Sequence, residues 1–102
     1  MNPPSFVVNA GHPALAGHFP GHPLVPGVVI LDEVIAAASS MQPGLSVIGL
    51  KEVKFHRPLH PGNRCVLHFS PPANGHVRFQ GRHGDDLVAE GRLIVAEERT
   101  TE

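Results

Sequence analysis

Residues 28–41 read VVILDEVIAAASSM, a run without glycine or proline, bracketed by Pro26-Gly27 before it and Pro43-Gly44 after it. An average strand has only about five to six residues, so the run predicts a helix from Val28 to about Met41. At 100° per residue its apolar side chains surround the axis, with Ile30, Val34 and Ala37 opposite Val28 and Ile35. A helix apolar on every side is expected to be buried on every side. Two acids interrupt it. Asp32 shares a stripe with Val28, Ile35 and Ser39, and Glu33 lies among Val29, Ala36, Ala37 and Ser40.

Beyond the QPG turn the period changes from helical to alternating. In 47–57, Val53 and Phe55 alternate with Lys54 and His56. In 63–70, Cys65, Leu67 and Phe69 share a face. In 76–82, Val77, Phe79 and Gly81 oppose His76, Arg78, Gln80 and Arg82. In 87–96, Leu87, Ala89, Leu93 and Val95 fall together. HPGN, PPANG and HGDD divide these segments, which predicts consecutive antiparallel strands. Residues 5–8 form a further short strand, 9–27 an ordered Gly- and Pro-rich loop, and 97–102 a frayed tail. One helix and an antiparallel meander make an α+β plan: a curved sheet wrapped around one central buried helix.

The length of 102 residues sets a single domain, 1–102. A chain of this size buries only roughly 65% of its unfolded surface, so association would add burial. Charged residues are 17% of the chain, with 11 glycines and 11 prolines. That composition suits a small β-rich domain partly covered by a partner. The formal net charge is −1, and neither a basic block nor any Tyr or Trp is present, which argues against nucleic-acid binding. No apolar run is long enough to span a membrane, and MNPPSFVV does not read as a secretory signal. The single cysteine, Cys65, excludes an internal disulfide and fits a reducing cytoplasm.

The chemistry gathers just before and inside the helix. His18 stands in a loop shaped by Pro20, Gly21 and Pro23. An unperturbed imidazole titrates near ~6.5, so His18 reads either as a proton acceptor or as a surface residue. A carboxyl group among apolar side chains resists ionisation, and one kept protonated serves as a general acid. The other reading points that carboxylate to solvent at a helix end. Gly27 offers an unhindered backbone N–H where the helix dipole is positive, a donor for a carbonyl oxygen or a plain turn glycine. The eight histidines raise a metal reading. The pairs His18/His22 and His56/His60 have helical spacing, but prolines between them forbid that helix, so no metal site is expected.

Taken together, GHFPGHPLVPGVVILD (17–32) closely resembles the active-site segment of the 3-hydroxyacyl-acyl-carrier-protein dehydratases, which have the hot-dog fold. The family pattern His-Phe-x-Gly-x-Pro-x-x-Pro-Gly is followed by a carboxylate 14 positions after the histidine. Here that distance runs from His18 to Asp32, with Phe19, Gly21, Pro23, Pro26 and Gly27 in place. The stretches VKFHRPLHPGN and GDDLVAEGRLIVAE resemble the family's later strand, turn and last hairpin, so the likeness covers about Gly17 to Ala96.

The resemblance implies loss of water from a 3-hydroxyacyl thioester on acyl carrier protein to give the trans-2-enoyl thioester. His18 and Asp32 would be the catalytic base and acid. Gly27, Val28, Phe19 and Pro26 would bind substrate, with no cofactor, in a homodimer or larger oligomer whose site draws on two chains. Asp in place of Glu, and a short N-terminal segment, are similar to the aryl polyene pathway dehydratases. One departure is Ala36, where many members carry Gln. Two competing readings are a hot-dog thioesterase, from which the HFPG loop departs, and a non-catalytic partner that binds acyl carrier protein.

Overall fold

The computed structural model describes residues 3–15 and 24–97. The predicted His18 and Phe19, and the tail beyond Glu97, lie outside the described residues. The elements are β1 (Ser5–Val7), a 3-10 turn (Pro13–Leu15), α1 (Gly27–Met41), β2 (Leu45–Phe55), β3 (Arg64–Phe69), β4 (His76–His83) and β5 (Asp86–Glu97). Every strand pair is antiparallel, and the sheet order is β1-β3-β4-β5-β2.

The predicted alternation holds where the sheet faces α1. Cys65, Leu67, Val77, Phe79, Ala89 and Leu93 are buried and meet Val29, Ile30, Val34 and Ala38 of the helix. Between Gly81 and Arg82 the β4–β5 register slips, and Val88 and Ala89 are both buried there, so strict alternation fails at that bulge. β3 and β4 are joined by Asn74-Gly75, with φ of 54° and 76°, and Ala73 and His76 exchange backbone bonds of 3.0 Å. That is the two-residue hairpin turn an Asn-Gly pair favours.

Two expectations need correction. The strands are not consecutive neighbours throughout: β3, β4 and β5 form the meander, but β2 lies beside β5 instead of β3. The link 56–63 is the reason. Pro58 and Pro61 have no N–H to extend a hairpin ladder. Leu59 is buried, and its carbonyl accepts a 2.8 Å bond from the Val25 N–H. The link is thus tied to the loop before α1 and carries the chain across the end of the sheet.

The second correction concerns the helix, which is not buried on all sides. Val34 is fully buried, but Val28 is 65% exposed, and Asp32, Ala36 and Ser39 are exposed along the same stripe. One curved sheet covers one side of a cylinder, and the described residues form only one sheet. Its radius of gyration is 14.5 Å, above the ~13 Å of a compact chain of this length.

Gly91 lies where three parts of the core converge. It pairs with Phe79, and a β-carbon there would sit 2.9 Å from the Phe79 ring and 3.1 Å from the Val53 Cα. The close approach of β2 follows from its register shift between Lys51 and Lys54, where Glu52 takes a φ of 56°. Phe79 is buried and Val53 contributes backbone, so neither yields cheaply. Gly91→Ala should lower stability by roughly 1–3 kcal/mol, read as a shift in denaturant midpoint. An unchanged midpoint would show that β2 does not pack this closely.

Cys65 is fully buried, and loss of solvation pushes its thiol pKa up to about 11 from an ordinary 9.0. The thiolate is therefore scarce at neutral pH, and the group should resist thiol reagents until the chain unfolds. Because the folded pKa is the higher one, Cys65 contributes stability that is present below pH 9 and is lost as pH rises toward 11. Labelling of the native protein at pH 8 as fast as in denaturant would contradict this placement.

Candidate active site

Helix α1 begins without a side-chain cap. Pro26 supplies an extended residue, with φ −61° and ψ 145°, and its carbonyl accepts from the Val29 N–H at 3.0 Å and the Ile30 N–H at 3.3 Å. Proline suits the site because its fixed φ sets the chain's direction into the first turn. The Gly27 N–H has no acceptor among the described residues and lies at the positive end of the helix dipole. This is a donor placed to receive an oxygen that gains negative charge.

The Phe55 ring is close enough to Gly27 that a β-carbon there would meet it at 2.8 Å. Phe55 itself is 50% exposed at the end of β2, although alternation with Lys54 placed it among the inward positions. With Gly27 it borders an open hollow of about 440 Å³, which Val25, Ile30, His56 and Leu59 complete. His56 is held at this edge twice over. Its backbone N–H donates to the Val88 carbonyl at 2.8 Å, and its Nε2 lies 2.7 Å from Glu90 Oε2. Sequence reasoning singled out neither Phe55 nor the His56–Glu90 pair as site residues. The only available signal was their position in the VKFHRP and LVAEGR matches, because their partners are far apart in the chain.

Among the expected site residues, the structure brings Pro26, Gly27, Val28 and Asp32 together on the first turns of α1. Val28 and Asp32 are one turn apart on the exposed stripe, Asp32 about 7.5 Å along the axis from Gly27. The apolar enclosure expected around the acid is not supplied by the described residues, among which Asp32 is exposed. Glu33 is half-buried and turns the other way. It borders a separate groove with Pro4, Phe6, Ala37 and Leu67, on the side of the helix facing β1. The two carboxylates therefore serve different surfaces, as their angular separation requires. Ala36, the position of the family's Gln, opens onto the Glu33 groove.

Among the described residues, no three His, Cys, Asp or Glu side chains come close enough to hold a metal ion. Nor is any helix among them long and apolar enough to cross a membrane.

Known proteins share this architecture. The family model for ApeI-like dehydratases, described as ApeI dehydratase, matches residues 4–92. The 3-hydroxyacyl-[acyl-carrier-protein] dehydratase FabZ of Thermus thermophilus is 34% identical over 92% of this chain and 68% of its own length. The same enzyme from Erwinia tasmaniensis is 31% identical over 90% of this chain and 70% of its own length. Among solved structures, the dehydratase heterocomplex ApeI:P from Xenorhabdus doucetiae superposes with a TM-score of 0.79 at 28% identity, covering 91% of this chain and 84% of that one. A fluoroacetyl-CoA-specific thioesterase, at 13% identity and a TM-score of 0.56, shares the fold alone. The chain has the hot-dog fold and belongs to the ApeI-like branch of the 3-hydroxyacyl-acyl-carrier-protein dehydratase family, whose activity is that of a hydro-lyase.

Proposed function

We propose that the chain dehydrates a 3-hydroxyacyl thioester carried on acyl carrier protein, with His18 as base and Asp32 as acid. The observation that carries this reading is the Gly27 N–H at the start of α1, which has no acceptor among the described residues, five residues before an exposed Asp32.

In this reaction His18 takes the proton from C2, and the thioester oxygen gains negative charge as the C2–H bond breaks. The Gly27 N–H receives that charge, aided by the helix dipole, where a fixed donor lowers the barrier most. Asp32 gives its proton to the 3-hydroxyl as the C3–O bond breaks. Water leaves and the C2–C3 double bond forms. Phe19, Pro26 and Val28 are assigned to substrate binding from the family pattern.

A second chain completes this site. The large apolar side chains left exposed among the described residues are Val28 and Met41 on α1 and Ile48, Leu50 and Phe55 on β2. Val28 belongs to the uncovered stripe of the helix and Ile48, Leu50 and Phe55 to the edge strand β2, whereas Met41 ends the helix on the side of the Glu33 groove. A partner laid along β2 covers stripe and edge strand and gives Asp32 the apolar surroundings that a proton-donating carboxyl needs. A homodimer accounts for this most simply. The heterocomplex named for the Xenorhabdus structure makes a related but different partner the alternative.

Incubation with a 3-hydroxyacyl thioester should yield the enoyl product. Free thiol would indicate a thioesterase, and neither product a non-catalytic partner. His18→Ala should lower turnover at least ~10²-fold with the fold intact. Asp32→Asn should lower it steeply, whereas Glu33→Gln should be tolerated. The reverse order for the two acids would move the reaction to the groove beside β1.

A further inference from the structure

The end of β2 beside Gly27 has few restraints of its own. The register shift between Lys51 and Lys54, with Glu52 at a φ of 56°, leaves two paired residues beyond it, Lys54 opposite Glu90 and Phe55 opposite Ala89. The Arg57 N–H makes only a 3.4 Å bond to the Val88 carbonyl, and Pro58 has no N–H to give. Core packing does not fix the Phe55 ring either, since Phe55 is 50% exposed. Yet that ring lies so close to Gly27 that a β-carbon there would meet it at 2.8 Å.

The remaining restraint is His56. Its backbone N–H donates to the Val88 carbonyl at 2.8 Å, and its ring reaches diagonally across the strand pair to Glu90, two residues further along β5. Lys54 stands directly opposite Glu90 without an ion pair between them, and it is His56 Nε2 that lies 2.7 Å from the carboxylate. Both side chains are 38% exposed, and a pair this open to water adds little to folding. Its effect is geometric. Main chain and side chain of the one residue after Phe55 are both tied to β5, which fixes the backbone that aims the ring.

We infer that His56 and Glu90 are positioning residues: the pair holds the Phe55 ring against Gly27 and so sets how an acceptor oxygen approaches the Gly27 N–H. The pair acts through Phe55 and not on the substrate itself. The ring walls the hollow of about 440 Å³ that Gly27 borders, so a ring free to turn would let the oxygen settle off the donor. A displacement of about 1 Å can cost roughly 10²-fold in rate. The consequence for catalysis rests on the dehydratase reading, and the placement of the ring does not.

Two measurements on the full chain separate these parts. The backbone N–H resonance of Gly27 in isotopically labelled protein shifts with the ring current of Phe55 and needs no substrate. His56→Ala and Glu90→Ala should move it alike, and the double variant no further than either alone. His56→Gln keeps a side-chain N–H within reach of Glu90 and should return the resonance most of the way. In a Phe55→Leu background, His56→Ala should no longer move it. With a 3-hydroxyacyl thioester, His56→Ala should lower kcat roughly 10-fold and change KM less than ~2-fold, as loss of an interaction made mainly in the transition state does. Added to Phe55→Leu, it should cost nothing further. A pair that serves folding alone predicts a lower melting temperature with the Gly27 resonance and kcat unmoved. An unmoved resonance overturns the inference, and so does an unmoved kcat in an active protein. A full further loss in the Phe55→Leu background overturns it too, because His56 would then act on the substrate directly. Absence of enoyl product from wild type counts against the dehydratase reading alone, and the Gly27 resonance still decides the placement of the ring.

Discussion

One sheet can cover only one side of a helix, and the rest of this molecule follows from that limit. The inner stripe of α1, Val29, Ile30, Val34 and Ala38, closes the core against β3, β4 and β5. The outer stripe, Val28, Asp32, Ala36 and Ser39, is exposed. The apolar residues on that side and on the β2 edge each stand to gain up to about 1.5–3 kcal/mol from burial, so the chain is built to be covered. The proposed acid lies in the middle of what is uncovered. Association and chemistry would then share one surface, and the carboxyl would reach its working environment only on assembly.

The two ends of α1 differ in what the sequence gives them. Pro26 and Gly27 start the helix without a capping side chain, and the Gly27 N–H has no acceptor among the described residues. At the other end Gln42 donates to the Ala38 carbonyl, and Gly44, at a φ of 92°, turns the chain into β2. A serine or aspartate cap would have made the first turn more stable by about 1 kcal/mol by accepting from the N–H of the second or third helical residue. The bare start is a cost in stability at the place where a reacting oxygen is proposed to bind.

Much of this was legible in the sequence because it depends on neighbours along the chain. The helix from Val28 to Met41 and the strands holding Cys65, Leu67, Val77 and Phe79 announce themselves by local period. The spacing of His18, Gly27 and Asp32 carries the family. What depended on distant partners was not legible. Nothing in 47–57 says that β2 would pair with β5, because that pairing is set by the prolines and the buried Leu59 in the following link. Apolar residues all round α1 gave no sign of which would be covered by this chain and which by another. The register across β2, β5 and β4 is likewise invisible in one dimension. Lys51, Arg78 and Arg92 are separated by long stretches of sequence and become neighbours only through register.

Subunit complementation tests the central claim, that each site draws on two chains. His18→Ala and Asp32→Asn chains, each nearly inactive alone, are tagged differently and co-expressed so that they mix at random, and hybrid formation is confirmed through both tags. In a two-fold symmetric hybrid one site carries both lesions and the other carries neither. Half the dimers are then hybrids with one intact site of two, and roughly a quarter of wild-type activity should return. Confirmed hybrids as inactive as their parents would contradict a site shared in this way.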